Sequence, residues 1–89
     1  MKHRIQVTQE DIERGERDQS CRCPVARALK RHFGIKAAVF RWNGRMSVKF
    51  VGRGDKVGPI LVLPDEADNF VYAFDNGHPV SPFEFELER

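Results

Sequence analysis

The sequence predicts one small α+β domain, in which a mixed or antiparallel sheet containing a β-hairpin at Asn43-Gly44 packs with two or three helices. The first observation is the length of 89 residues, which suits a single domain. The second is a composition of 40% apolar and 31% charged residues, which is typical of globular rather than disordered chains. The third is the order of apolar patterns along residues 1–89, which reads β-α-α-β-β-β-α-β.

The chain begins with a short strand followed by a short helix. Apolar and polar residues alternate over residues 3–7, as in a strand with one buried face. Thr8 precedes Asp11 by three residues, which is the spacing of a capping box at a helix start. We therefore predict a helix over residues 9–14 that ends at Gly15.

A second helix follows the polar loop 16–22. Pro24, directly after Cys23, suits the first helical position, and Gly34 suits the end. One face of this helix is apolar, formed by Val25, Ala26, Ala28, Leu29 and Phe33. Three basic residues lie off that face: Arg27, Lys30 and Arg31. They could follow a phosphate backbone, or they could simply be a solvated helix surface.

The clearest local signal is the hairpin. Two strand-like segments, residues 37–42 and 45–50, flank Asn43-Gly44, the pair that favours a type I′ turn. A two-residue loop pairs Trp42 with Arg45 and therefore fixes the register of the whole hairpin.

Three elements complete the predicted order. Gly52, Gly54 and Asp55 indicate a loop that Gly58-Pro59 closes, and residues 60–63 resemble a third strand of the sheet. Pro64 begins a helix whose apolar face is formed by Ala67, Phe70, Val71 and Phe74, and Asn76-Gly77 ends it. In the last strand, Phe83, Phe85 and Leu87 alternate with Glu84, Glu86 and Glu88.

The hairpin register separates two faces. One carries Ala37, Val39, Arg41, Met46, Val48 and Phe50, and we predict that it is buried. The other carries Phe40 and Trp42 beside Arg45 and Lys49, a combination suited to stacking on bases or to anchoring a protein interface. The alternative is that these groups are satisfied within the fold, by a helix, by a cation–π pair, or by the glutamates of the last strand if that strand joins this sheet.

The charges are divided along the chain. Residues 20–57 contain ten Lys or Arg against one acid, and residues 58–89 contain seven acids against one Arg. This division indicates an anionic partner, or else two halves that neutralise each other in the fold. We predict a partner-binding surface drawn from the basic helix residues and the exposed hairpin face, namely Arg27, Lys30, Arg31, Phe40, Trp42, Arg45 and Lys49.

Catalytic and metal-binding chemistry has little support. Cys21, Cys23 and His32 lack the paired spacing of zinc ligands, and a thiolate at a helix start has no base beside it in the sequence. No nucleophile, phosphate-loop or metalloprotease motif occurs. The longest apolar run, residues 70–74, is far shorter than a membrane span. We expect no enzyme activity, no cofactor, no metal and no membrane partner, and two cysteines fit a reducing compartment.

Several segments together resemble a family of small, mostly uncharacterised bacteriophage and prophage proteins. They are Val7-Thr8-x-x-Asp11-Ile12-x-x-Gly15, Cys23-Pro24-Val25-Ala26-x-Ala28-Leu29, Leu63-Pro64 through Phe70, Phe74-Asp75-x-Gly77 and Pro82-Phe83-x-Phe85-x-Leu87. The resemblance covers nearly the whole chain, but its residues suit caps, turns and core, so no functional residue is carried over. Small phage proteins of this kind include anti-CRISPR inhibitors, which block a host interference complex without catalysis.

The resemblance implies a phage-type accessory protein in the cytoplasm of a bacterial host. Its expected partner is a host protein or ribonucleoprotein complex, in the most specific form a CRISPR effector. The alternative is a small nucleic-acid-binding module that uses the basic and aromatic residues named above.

Overall fold

A computed structural model describes residues 2–51 and 59–89 of the chain. The predicted loop at Gly52, Gly54, Asp55 and Gly58 lies outside the described residues. The elements in chain order are β1 (Lys2–Val7), α1 (Gln9–Arg14), α2 (Pro24–Phe33), β2 (Lys36–Trp42), β3 (Arg45–Val51), β4 (Leu61–Val62), α3 (Asp65–Asp75) and β5 (Phe83–Glu88). This order is the predicted one.

The described strands form two antiparallel sheets. β2, β3 and β4 make one sheet in that order, and β1 pairs with β5 in the other. In the smaller sheet Ile5 lies opposite Phe85, and both side chains are buried. The α+β class is therefore confirmed, and every described strand pair is antiparallel.

Local chemistry explains where the first two helices begin. Thr8 and Asp11 form the predicted capping box, in which each side chain accepts a hydrogen bond from the other residue's backbone N–H. At the start of α2, the Cys23 Sγ accepts a hydrogen bond from the Ala26 N–H at 3.4 Å, and Pro24 occupies the first turn. Gly34 ends α2 with a left-handed φ of 71°.

The hairpin turn has the predicted geometry. Asn43 and Gly44 have φ values of 51° and 77°, the two positive angles that a type I′ turn requires. β2 begins at Lys36 and β3 ends at Val51, each one residue beyond the predicted limit. β4 is shorter than predicted, because only Leu61 and Val62 pair with β3.

One hydrophobic core connects both sheets. It contains Ile5 and Leu87 from the smaller sheet, Val39 and Val48 from the hairpin, and apolar residues of α2 and α3. The predicted core positions of α3, Ala67, Phe70 and Val71, are buried, and Phe74 packs against them half-buried. Pro64 is the residue before α3 rather than its first helical residue.

Candidate partner-binding face

The hairpin register places the predicted face of β2 and β3 on the side away from the core, although Ala38 and Ser47 on that side are buried. Trp42 lies opposite Arg45, Phe40 opposite Ser47 and Ala38 opposite Lys49, as predicted. The other side of the same strands is turned to the core, where Ala37, Val39, Met46, Val48 and Phe50 are buried. The assignment of the buried side is therefore confirmed except at Arg41, which lies on this side near the turn and is exposed.

The outward side extends across all three strands. Because Val62 pairs with Ser47, its side chain lies on the same side of the sheet as Phe40 and Trp42, and Val51 joins them by alternation along β3. We call this side the outer face and define it by Lys36, Phe40, Trp42, Arg45, Lys49, Val51 and Val62. Three of its large apolar side chains remain exposed, Val62 by 50%, Trp42 by 45% and Val51 by 37%.

The charge of the outer face is positive. The three strands of this sheet contain no Asp or Glu, so no acidic side chain projects from it. Lys36 is exposed, and the Lys49 Nζ lies 5.8 Å from the centre of the Phe40 ring, within reach of a cation–π interaction. The outer face therefore combines exposed apolar groups with lysines.

Arg45 forms ion pairs with two aspartates of the same chain. Its guanidinium lies 2.9 Å from an Asp65 carboxylate oxygen and 3.8 Å from Asp68, both on α3. Asp68 also accepts a hydrogen bond from the Met46 N–H and lies 3.6 Å from Arg41. Arg45 is thus one border of the outer face and not a free cation.

The acidic strand β5 does not join the hairpin sheet. β5 pairs with β1, and Glu84 and Glu86 lie 3.6 and 3.8 Å from Arg4 in that strand. The alternative in which this acidic row neutralises the hairpin required β5 to join the hairpin sheet. The structure pairs β5 with β1 instead, so this alternative does not hold.

The basic helix residues have a different role from the one considered in the sequence. Arg31 contacts both carboxylate oxygens of Asp11, at 2.7 and 2.8 Å, and donates a further hydrogen bond to the Gln6 carbonyl. Arg27 lies 3.6 Å from the same carboxylate. Lys30, the third of these residues, is exposed, and its side chain forms no hydrogen bond or ion pair among the described residues.

The structure therefore divides the seven predicted residues into two groups. Phe40, Trp42, Arg45 and Lys49 share the outer face, whereas Arg27, Lys30 and Arg31 belong to α2. The core side of α2 packs with the buried side of the hairpin, so the sheet separates the two groups. Sequence reasoning missed Lys36, Val51 and Val62, since their membership depends on the extra strand residues and on β4 pairing with β3.

The cysteines are arranged for packing. Cys23 is buried, and its burial raises the pKa of the thiol to about 11, so the group is protonated near neutral pH. Within residues 2–51 and 59–89, no three His, Cys, Asp or Glu side chains converge as a structural zinc site would require. His32 lies beside His3 and not beside the cysteines.

Among the described residues, no helix has the length and apolar character needed to cross a membrane. No protein family, curated protein or solved structure matches this chain.

Proposed function

We propose that this chain is a non-enzymatic accessory protein of phage or prophage type, which binds a host protein or ribonucleoprotein complex through the outer face. The observation that carries the proposal is the exposure of Trp42, Val51 and Val62 on a sheet face whose described strand residues include lysines and no acid. Trp is among the residues that contribute most to protein interfaces, and exposed apolar patches often mark them. Inhibition of a CRISPR effector in the host cytoplasm is the most specific form of this proposal.

The chemistry of the outer face defines the partner. A complementary surface would have an apolar centre to cover Trp42 and Val62 and carboxylates around it to pair with Lys36 and Lys49. A second copy of the same face fits poorly, because lysines would meet lysines. This argument favours an acidic partner surface over self-association.

The first experiment measures association and specificity together. The purified chain is tested against purified CRISPR interference complexes by pull-down and by target-DNA binding, with Trp42→Ala and Val62→Glu as interface variants. We expect both variants to weaken association about tenfold or more, because one removes the aromatic anchor and the other places a negative charge on the face. Lys30→Ala is the matched control, since Lys30 is exposed on α2, across the sheet from this face.

Absence of association with every interference complex would reject the CRISPR form of the proposal. Association that both interface variants retain at full strength would reject the outer face as the binding surface. These two outcomes separate the identity of the partner from the location of the site.

A second candidate function is binding of single-stranded nucleic acid, which the Phe40–Lys49 contact and exposed Trp42 favour. It has weaker support because Arg27, Arg31 and Arg45 already pair with carboxylates, and valines do not stack on bases. Fluorescence anisotropy with single-stranded DNA at 50 and 200 mM salt decides: this function requires affinity that falls steeply with salt and depends on Trp42.

A further inference from the structure

His3 and His32 bring two imidazole rings together from separate elements. The Nδ1 atom of His3 in β1 lies 3.1 Å from the Nε2 atom of His32 at the end of α2. One of these nitrogens donates its N–H to the other, so the pair is joined by a single proton. Twenty-nine positions separate the two residues in the chain.

Packing restricts both rings. His3 and His32 each meet the ring of Phe33 edge to face, with centroids 4.8 and 4.7 Å apart. Phe33 in turn packs on Phe50 of β3 at 5.1 Å. Phe33 therefore orients both imidazoles, while the contact between them lies at the exposed surface.

We propose that His3 and His32 form a two-histidine site for a borderline divalent transition metal, such as Zn²⁺, Ni²⁺ or Cu²⁺. The proposal is independent of the outer face. The metal would replace the proton between Nδ1 of His3 and Nε2 of His32. In the bound state each imidazole carries its proton on the other ring nitrogen, so both rings remain neutral.

The spacing suits this coordination. Metal–nitrogen distances of about 2.0–2.1 Å place two nitrogens about 3.3 Å apart in tetrahedral geometry and about 2.9 Å apart as neighbours in a square plane. The observed 3.1 Å lies between these values, so small ring movements bring both lone pairs onto one ion. Water would complete the coordination, because the protein supplies two ligands.

The surroundings allow an ion to reach the site. His32 is exposed and lines a groove of about 210 Å³ with Arg4, Gln6, Thr8, Ala28 and Arg31, whereas His3 is half-buried and does not line this groove. The two arginines of this groove already have carboxylate partners, Arg4 with Glu84 and Glu86 and Arg31 with Asp11. Their charges therefore oppose a bound cation less than free arginines would.

The two imidazole ligands determine which metal binds most tightly and how binding changes the stability of the protein. Imidazole pairs favour Cu²⁺ over Ni²⁺ and Zn²⁺ in the usual order of affinities. A bound ion would connect β1 to the end of α2 and so stabilise the native state over the unfolded one. At tenfold excess over the dissociation constant, this linkage corresponds to a rise in Tm of about 5–10 °C.

The test uses untagged protein in a Cys21→Ser background, freed of metal with EDTA and titrated with Zn²⁺. We expect the ring nitrogen signals of His3 and His32 to shift together in ¹H–¹⁵N spectra, while His78 stays unchanged, and Tm to rise. His32→Asn should abolish both effects; His32 is exposed, so the fold does not depend on it. His78→Asn is the matched control and should retain them.

An unchanged Tm and unshifted rings of His3 and His32 up to about 1 mM Zn²⁺ would overturn the proposal. A zinc effect that survives in His32→Asn would also overturn it, because the metal would then be bound elsewhere. The ring signals of the wild-type chain give a decision even if a variant is less stable.

Discussion

Asp11 accepts hydrogen bonds from two directions, from the Thr8 backbone N–H at 3.0 Å and from the Arg31 guanidinium at 2.7 and 2.8 Å. Its side chain is fully buried. Burial by itself raises the pKa of this carboxyl, but the hydrogen bonds from Arg31 and Thr8 outweigh burial, and the pKa lies below its usual value. The residue therefore joins α1 to α2 as a buried anion.

We expect Asp11→Asn to lower the free energy of unfolding by roughly 2–4 kcal/mol at pH 7, because it leaves Arg31 without its anion. Arg31 is half exposed, so the loss stays below that of a fully buried pair. Since the folded pKa of Asp11 is lowered, its contribution is complete above pH ~4 and is lost as pH falls through the folded pKa.

Urea unfolding at pH 7 and pH 3 measures this effect, with Glu10→Gln as the control. Glu10 is an exposed acid of the same helical turn that pairs with Arg14. The variant Asp11→Asn should lose less stability than the wild type between the two pH values. An equal loss in both proteins would contradict a buried anion at Asp11.

Cys21 and Cys23 should differ sharply in reactivity. Cys23 is 3% exposed with a pKa of about 11, whereas Cys21 is half-buried. In native protein at pH 8, a thiol reagent should modify Cys21 readily and Cys23 only upon unfolding. Counting released chromophore in wild type and Cys21→Ser checks this; fast native modification in Cys21→Ser would show that Cys23 is accessible after all.

At the scale of elements, the end of α1 shows a constraint that spacing alone does not reveal. Gly15 was predicted as a helix stop, and it does follow the last residue of α1. Its φ of −71° is ordinary for any residue. A Cβ at this position would lie 2.7 Å from the Asp11 carbonyl oxygen and 2.7 Å from the Pro24 ring, so glycine is needed for close packing of α1 against the start of α2.

Gly15→Ala should therefore destabilise the protein by about 1–3 kcal/mol through overcrowding, despite its favourable backbone angle. Gly34→Ala provides the comparison: it has a φ of 71° and no atom within 4 Å of the added Cβ, so its cost of about 1 kcal/mol is conformational. Urea midpoints measure both. A neutral Gly15→Ala would mean that α1 moves away from α2 at little cost.

The strands show how local and distant signals differ. The turn angles at Asn43 and Gly44 were predictable because two adjacent residues decide them. The short length of β4 was not predictable from the sequence, because it depends on which residues of β3 it pairs with, and only two do. Further hydrogen bonds extend the sheet irregularly, from the Val39 N–H to the Ser20 carbonyl and from the Leu63 N–H to the Met46 carbonyl.

At the scale of the whole molecule, two separate sheets depend on one core. Phe85 is 2% exposed in that core, and its replacement by Ala should cost about 3–5 kcal/mol. Because the core is shared, we expect amide hydrogen exchange to accelerate in β2 and β3 as well as in β1. Tyr72→Ala, at a residue 58% exposed, should change stability by no more than about 0.5 kcal/mol.

If Phe85→Ala accelerated exchange in β1 while β2 and β3 kept their protection, the two sheets would be independent units. Amide exchange followed by NMR at a single pH distinguishes these outcomes residue by residue.

The division of charge along the chain is partly resolved inside the fold. Arg41 and Arg45 of the basic segment meet Asp65 and Asp68 of the acidic segment across the hairpin and α3. Lys36 and Lys49 lie on the outer face beside exposed apolar groups. Mutual neutralisation, one of the two alternatives in the sequence, therefore holds for Arg41 and Arg45, and an anionic partner for the lysines stays a prediction.

The sequence by itself determined the class, the order of elements, the hairpin register and the buried side of the hairpin. These follow from caps, turn angles and alternation, which involve residues a few positions apart. Only the tertiary structure decided that β5 pairs with β1, that Arg31 belongs to Asp11, and that Val62 joins Trp42 on the outer face. The apolar alternation of β5 suits either sheet equally, and partners 20 or more positions apart are selected by competing contacts of similar energy that no local pattern records.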